Sequence, residues 1–500
     1  MLARFNLPWM LIVLLLCTLP VLGQTPSDSI AIDASGPSHP FPHYWEQMFG
    51  SGRAILTLRD SWRRDLREVK QITGLQYVRF HAIFHDEVGV YDEDKDGRPI
   101  YNFSYVDQIY GGLLANGVKP FVELSFMPYK LAARPDIQAF WYRPNVAPPK
   151  DYAKWDDMIT QFTRHLVDRY GIDEIASWYF EVWNEPNIDF WKGAPRQESY
   201  FELYDHTARA IKSVNRRLRV GSPSTAQAAW VDTMIQHAVK LNVPLDFVST
   251  HVYGNDSASD VFKTNEKIPR DQMVCRSVKM VHDQIKASSR PDLPLIWSEF
   301  NAAYDNEVAV TDSIYMGPWM ATTIGQCDGL TQMMSYWSVS DVFEEQGVVK
   351  QPFYGGFGLI AAGGIPKPSF YAFEILHYLG DRRIDNSNRD VLVTKAKDGS
   401  LVVAVWNLVN PGSTGSTRTV RLDFKGVSPD ATASIARVDG QHGDTLNLYD
   451  KLGKPRYPTQ AQIQELDRGS RLKSPEERHL KNGSLELQLP VNGLAVIQVR

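Results

Sequence analysis

Trp178-Tyr179-Phe180-Glu181-Val182-Trp183-Asn184-Glu185-Pro186-Asn187 opens as an aromatic, β-branched run and stops in Asn-Glu-Pro. A short continuous apolar run has the composition of a parallel strand buried on both faces. A carboxylate held beside tryptophans costs free energy unless it is paired or protonated. Glu185 is therefore a candidate proton donor with a raised pKa. A strand-end glutamate can also simply cap the next helix; Asn184 and the aromatic strand favour chemistry. A second run, Leu293-Pro294-Leu295-Ile296-Trp297-Ser298-Glu299-Phe300-Asn301, also ends in a carboxylate. The two glutamates are 299 − 185 = 114 residues apart. One βα unit of a (β/α)8 barrel takes about 30 to 40 residues, so the gap fits three units, from strand 4 to strand 7. Both carboxyls would then face the C-terminal mouth, where the catalytic groups of such barrels collect. Paired carboxylates there point to glycoside hydrolysis.

Outward from these two runs, strand-like and helix-like segments alternate, the signature of an α/β fold. Eight strands are expected at 45–50, 75–80, 119–125, 178–183, 219–222, 247–253, 295–299 and 330–337. Helical patterns are expected at 61–72, 200–214, 226–241, 271–287, 310–326 and 369–379. Another starts at Ser104, where Ser104 and Asp107 read as a capping box, and stops near Asn116-Gly117. After about residue 380 the texture changes to short β-rich runs separated by Gly and Pro: 390–394, 400–407, 417–424, 485–489 and 494–499. These predict a β-sandwich. The fold class is thus a (β/α)8 TIM barrel over 44–380 with an accessory C-terminal β-sandwich domain over 381–500. The segment 24–43 is extended and would add a strand at 30–34 to that sandwich. Residues 456–481 are polar and read as a long surface loop. There is no internal repeat at a period of 20 to 50 residues.

Five hundred residues exceed a single barrel, and 43% hydrophobic content is ample for a large core. A net charge of −5 without a long basic run speaks against a nucleic-acid partner. The 13 Trp and 22 Tyr suit a saccharide cleft, although aromatic cores give the same count. Arg4, the apolar run from Pro8 to Leu16 and Val21-Leu22-Gly23 predict a signal peptide over 1–23. That run is too short to span a bilayer as a mature helix. Cys17 follows Leu16, where a lipoprotein box wants Gly or Ala, so no lipid anchor is expected. No later stretch is long and apolar enough to cross a membrane. The expected location is secreted or periplasmic, with no membrane partner after cleavage. Cys275 and Cys327 remain in the mature chain, either as one disulfide or as two buried thiols. Sequons stand at Asn102, Asn255 and Asn482.

The run 178–187 resembles the acid/base signature of glycoside hydrolase family 39, which includes β-xylosidases and α-L-iduronidases. The resemblance extends to Tyr77-Val78-Arg79-Phe80-His81, Phe121-Val122-Glu123-Leu124-Ser125-Phe126-Met127-Pro128 and His251-Val252-Tyr253. Trp297-Ser298-Glu299-Phe300 and Ser340-Asp341-Val342-Phe343-Glu344-Glu345 complete it, in the right order over about 40–380. It implies the same barrel with an accessory β-sandwich, Glu185 as general acid/base and Glu299 as nucleophile. Beside it stands the physical reading. Tyr253 and Arg79 would bond Glu299 and keep it charged. Asn184 would donate to the sugar 2-hydroxyl, a contact that strengthens in the transition state. His81, His251 and Trp337 would line the pocket for the sugar being released. Glu123 reads as structural. His81 and His85 have a metal-like i, i+4 spacing, but on a strand rather than a helix, so neither metal nor cofactor is expected.

An iduronidase needs a converging Arg or Lys for the sugar carboxylate. After strand 8 this chain offers Asp341, Glu344 and Glu345 instead, with Tyr354 where many xylosidases carry His. Glu344 or Glu345 would bond the ring hydroxyls of a neutral sugar. The expected partner is an oligosaccharide or glycoside, and a homo-oligomer is in keeping with the family. The expectation is a retaining, exo-acting β-xylosidase. The alternatives are a retaining hydrolase of another neutral glycoside (arabinoside, galactoside or exopolysaccharide), an α-L-iduronidase, and a non-catalytic sugar-binding protein.

Overall fold

In the computed structural model, which describes residues 28–500, eight parallel strands close into a barrel. They are Met48–Arg53, Tyr77–His81, Lys119–Leu124, Tyr179–Val182, Arg219–Thr225, Phe247–His251, Leu295–Phe300 and Met333–Tyr336, and the last pairs with the first. All eight expected strands are present, with bounds shifted by a few residues. The anticipated signal peptide at 1–23 lies outside the described residues.

The barrel interior is layered because inward positions alternate along each strand. At the bottom, Met48, Phe121, Tyr179, Phe247, Ile296 and Met333 form one apolar plug. One pleat higher the lining turns ionic: Arg79, Glu123, Glu181 and Glu299 are all buried. The outer helices supply the other half of the core through stripes of apolar residues. Tyr152–Tyr170, for example, buries Trp155, Met158, Ile159, Phe162 and Leu166 at helical spacing.

The structure corrects several expectations. The helix Ser104–Leu114 has no Ser104 capping box; Asn102 Oδ1 instead accepts from Ser104 N at 3.0 Å. The helix expected at 226–241 starts only at Val231, because Trp230 takes a left-handed φ of 62°. The expected helix at 310–326 is two, Val308–Thr311 and Met316–Cys327, broken after Asp312. The polar stretch 456–481 is not one loop. It holds the helix Gln460–Ser470, closed by a Thr459/Gln462 capping box, and the strand Glu476–His479.

Beyond the barrel, and besides two short two-stranded ribbons, the described residues form two larger sheets. One has seven strands, and its central members are Val391–Lys395, Leu401–Trp406 and Leu494–Val499. The other has three: Asp28–Asp33 pairs parallel with Arg418–Lys425, which pairs with Ser484–Leu489. A single apolar cluster joins Ile30, Ile32, Val420 and Leu422 of the small sheet to Val403, Ile435 and Ile497 of the large one. Ser38–Pro40 pairs with Arg382–Ile384 at the edge of the large sheet. Cys275 and Cys327 form a disulfide between the helices Arg270–Ala287 and Met316–Cys327. Among the described residues, no helix is long and apolar enough to cross a membrane.

Candidate active site

The C-terminal ends of the barrel strands surround a cavity of about 470 Å³. Glu299 enters it from the seventh strand. Glu185 sits three residues past the fourth, on a left-handed turn in which Trp183 and Glu185 have φ of 71° and 44°. Such conformations cost non-glycine residues free energy and persist where the surroundings enforce them. Here Glu185 N donates to Ser224 O at 2.7 Å, and the Trp183 indole N–H donates to Phe190 O at 2.6 Å. Carboxyl oxygens of Glu185 and Glu299 and the Nδ1 of His251 all lie within 4.8 Å of one another. Retaining glycosidases hold their two carboxyls about 5 to 5.5 Å apart, whereas inverting ones leave about 6.5 Å or more for a water.

The pair is electrically unequal. Glu299 Oε1 accepts from Arg79 Nη1 at 2.6 Å, and its Oε2 accepts from the Tyr253 hydroxyl at 2.6 Å. Burial pushes both carboxyls upward, and on Glu299 the nearby Arg79 and His81 charges and the Tyr253 bond oppose it. Glu185 has Arg79 as its main relief, with Glu299 and then Asp256 adding like-charge repulsion, so it stands well above the usual carboxylate range. The proton of the pair belongs on Glu185 and the negative charge on Glu299. His251 is held well below its ordinary value by burial and by Arg79. It is neutral, its Nδ1 3.1 Å from Glu185 Oε1 and its Nε2 3.0 Å from Ser298 Oγ.

Arg79 is fully buried beneath the cavity rather than lining it. It meets Glu181 at 2.6 Å, Glu123 at 2.9 Å and Asn184 Oδ1 at 2.9 Å besides Glu299. An arginine inside a protein remains charged, and one guanidinium here serves three carboxylates. Burial works against a charge on His81, but Glu123, 2.7 Å from its Nδ1, and Glu299 together hold its pKa up.

His81, Asn184, His251, Tyr253, Trp337 and Glu345 line the cavity with the two glutamates. Trp337 reaches its place because the first strand carries Gly50 opposite it; a Cβ there would stand 2.0 Å from the indole. Glu344 is not in the lining. It is spent on Arg59 Nη1 at 2.6 Å and Arg53 Nη2 at 3.1 Å, two cations that bind it more strongly than a hydroxyl can. Glu345 is the acidic residue turned inward, and burial raises it to about 8. The sequence reading missed Gln138, Phe140, Gln227 and Asp256, which also line the cavity. Gln138 and Phe140 come from a structured loop after the third strand. Asp256 lies three residues past Tyr253, whose N–H it accepts at 2.7 Å; proximity to the sixth strand end was the available signal.

The sequence profile described as Glycosyl hydrolases family 39 matches residues 28–483. A β-xylosidase of Geobacillus stearothermophilus is 36% identical over 476 residues, covering 92% of this chain and 93% of that protein. One of Caldicellulosiruptor saccharolyticus is 35% identical, covering 86% and 89%. The solved structure of a monomeric β-xylosidase from Caulobacter crescentus CB15 superposes with a TM-score of 0.86 at 32% identity, covering 95% of this chain and 99% of that one.

Proposed function

The chain belongs to glycosyl hydrolases family 39, and from that premise we propose that it is a retaining β-xylosidase releasing xylose from non-reducing ends. The observation that carries this reading is the unequal carboxyl pair, within 4.8 Å and with the proton on one member. Glu185 gives its proton to the glycosidic oxygen while the Glu299 carboxylate attacks the anomeric carbon. The leaving group departs and a xylosyl ester forms on Glu299. Glu185, now ionised, takes a proton from water, the hydroxide equivalent displaces Glu299, and two inversions restore the original configuration. The other contacts have matching work: Tyr253 and Arg79 hold Glu299 ionised, Asn184 presents its amide to the sugar, and Glu345 accepts from ring hydroxyls. A pocket carrying Asp256, raised only to about 6 and so mostly ionised at neutral pH, suits a neutral pentose better than a uronate.

We read the two sheets that share an apolar core as a β-sandwich of residues 381–500, joined by the described part of 24–43, residues 28–43, beside a barrel of 44–380. We also read the protein as exported. The pattern of residues 1–23 supports this, and so does the Cys275–Cys327 disulfide, a bond that persists in oxidising compartments.

The test is turnover of a panel of aryl glycosides, with the anomer of the first product followed by NMR. The β-xyloside should be the preferred substrate and the first product β-xylose. An α-anomer at first turnover, or preference for an arabinoside, galactoside or iduronide, overturns the assignment.

A further inference from the structure

His43 and Glu46 stand one turn apart in the segment leading into the first barrel strand, and His377 follows the helix Pro368–Leu376. They meet at the N-terminal end of the barrel, opposite the mouth that holds Glu185 and Glu299. His43 Nδ1 lies 2.6 Å from Glu46 Oε1, and His377 Nδ1 lies 2.9 Å from both Glu46 oxygens. The three donor atoms are all within 4.8 Å of one another. Glu46 is 1% exposed, and the two histidines are its only ion-pair partners among the described residues.

The hydrogen bonding of His43 is telling. Its Nε2 is 2.9 Å from Leu379 O, which can only accept, so that nitrogen donates. Nδ1 nevertheless faces a carboxylate oxygen. Positive charge must lie between Nδ1 and Glu46, carried by a proton or by a metal ion. The ring is fixed for that task by stacking on Trp45, centroids 4.5 Å apart. Room on the far side comes from Gly74, where a Cβ would stand 3.1 Å from Glu46 Oε1.

We propose that His43, Glu46 and His377 form a site for a borderline divalent metal ion, zinc being the best match, that ties the entrance of the barrel to its last helix. Two imidazole nitrogens and a carboxylate oxygen are a recurring zinc set, and bonds of about 2.0 to 2.2 Å would spread the ligands by under about 1 Å from their present spacing. The His377 side chain, 42% exposed, can make that movement and leaves solvent to complete the coordination. The effect is on stability, not chemistry, since the site and the catalytic pocket occupy opposite ends.

The experiment titrates zinc into the metal-free full chain by calorimetry and follows thermal unfolding and aryl xyloside turnover in parallel. Turnover is needed because Glu185, His251 and Glu299 offer zinc a second set of donors. The native chain should bind one equivalent that raises Tm. His377→Asn should weaken that equivalent by about tenfold or more and abolish the Tm rise, with zinc-free turnover native. His43→Asn serves as the second variant. Identical zinc affinity, stoichiometry and Tm response in the native chain and both folded variants, no binding at all included, would overturn the proposal. So would a zinc effect confined to lost turnover.

Discussion

Removing the Tyr253 hydroxyl deprives Glu299 of a donor at 2.6 Å and leaves one carboxylate oxygen facing the cavity. That donor favours the anion, so Tyr253→Phe should raise the Glu299 pKa. Nucleophilic attack needs Glu299 ionised, so activity is lost as pH falls through that pKa. The acid limb of kcat/KM should move to higher pH. Asp256 acts on the other limb. It repels charge on Glu185 and is itself raised to about 6, hence mostly ionised at neutral pH. Asp256→Asn should lower the Glu185 pKa. Proton donation is lost as pH rises through it, so the alkaline limb should move to lower pH. Profiles on one aryl xyloside check both variants; shifts in the opposite sense would reverse the electrostatic reading. Glu185, Glu299, His251 and Tyr253 were legible in the sequence because each ends or closely follows an apolar strand run. Gln227 was not: its place depends on a φ of 59° between barrel and helix, which no composition announces. Glu344 and Glu345 are chemically alike and adjacent, and only folding reveals that Arg53 and Arg59 claim the first.

Between strand and helix, one buried cation organises a rim of the pocket. Lys367 Nζ lies 2.6 Å from Asp312 Oδ1 and 2.6 Å from Asp341 Oδ2, and donates to Gly356 O at 2.9 Å. Asp312 accepts from Gly355 N and Asp341 from Gly358 N, so the segment bearing Phe357 is pinned at both ends. Lys367→Met would leave two buried carboxylates without their partner, which costs about 3 to 5 kcal/mol when a buried pair is broken. Urea unfolding should register that loss, and KM should rise more than kcat falls, since Phe357 lines the pocket without touching the reacting groups. The eight barrel strands were readable from sequence as short apolar runs, and several outer helices by their periodicity. Tyr152–Tyr170 carries the same helical stripe behind an Asp151 cap and was equally legible, though not among the expected helices. Gln460–Ser470 hid for a physical reason: it buries only Leu466 and Ser470, too thin a stripe to separate it from a loop.

For the molecule as a whole, the disulfide adds a covalent tie between neighbouring outer helices across a sequence separation of 52. Cys275→Ser with Cys327→Ser should lower stability by about 2 to 4 kcal/mol while leaving turnover at moderate temperature intact. Denaturant titration with and without reductant checks this, the double variant being indifferent to the reductant. The parallel pairing of Asp28–Asp33 with Arg418–Lys425 works over a far longer span, 390 residues between Asp28 and Arg418. Contacts so remote in sequence form late, after the loop between them has closed. The strand Asp28–Asp33 therefore emerges long before its receiving edge, and the apolar Ile30 and Ile32 wait without cover until most of the chain has followed. Vectorial folding cannot finish this protein from the first described strand onward; that strand stays open until an edge near the far end of the chain arrives.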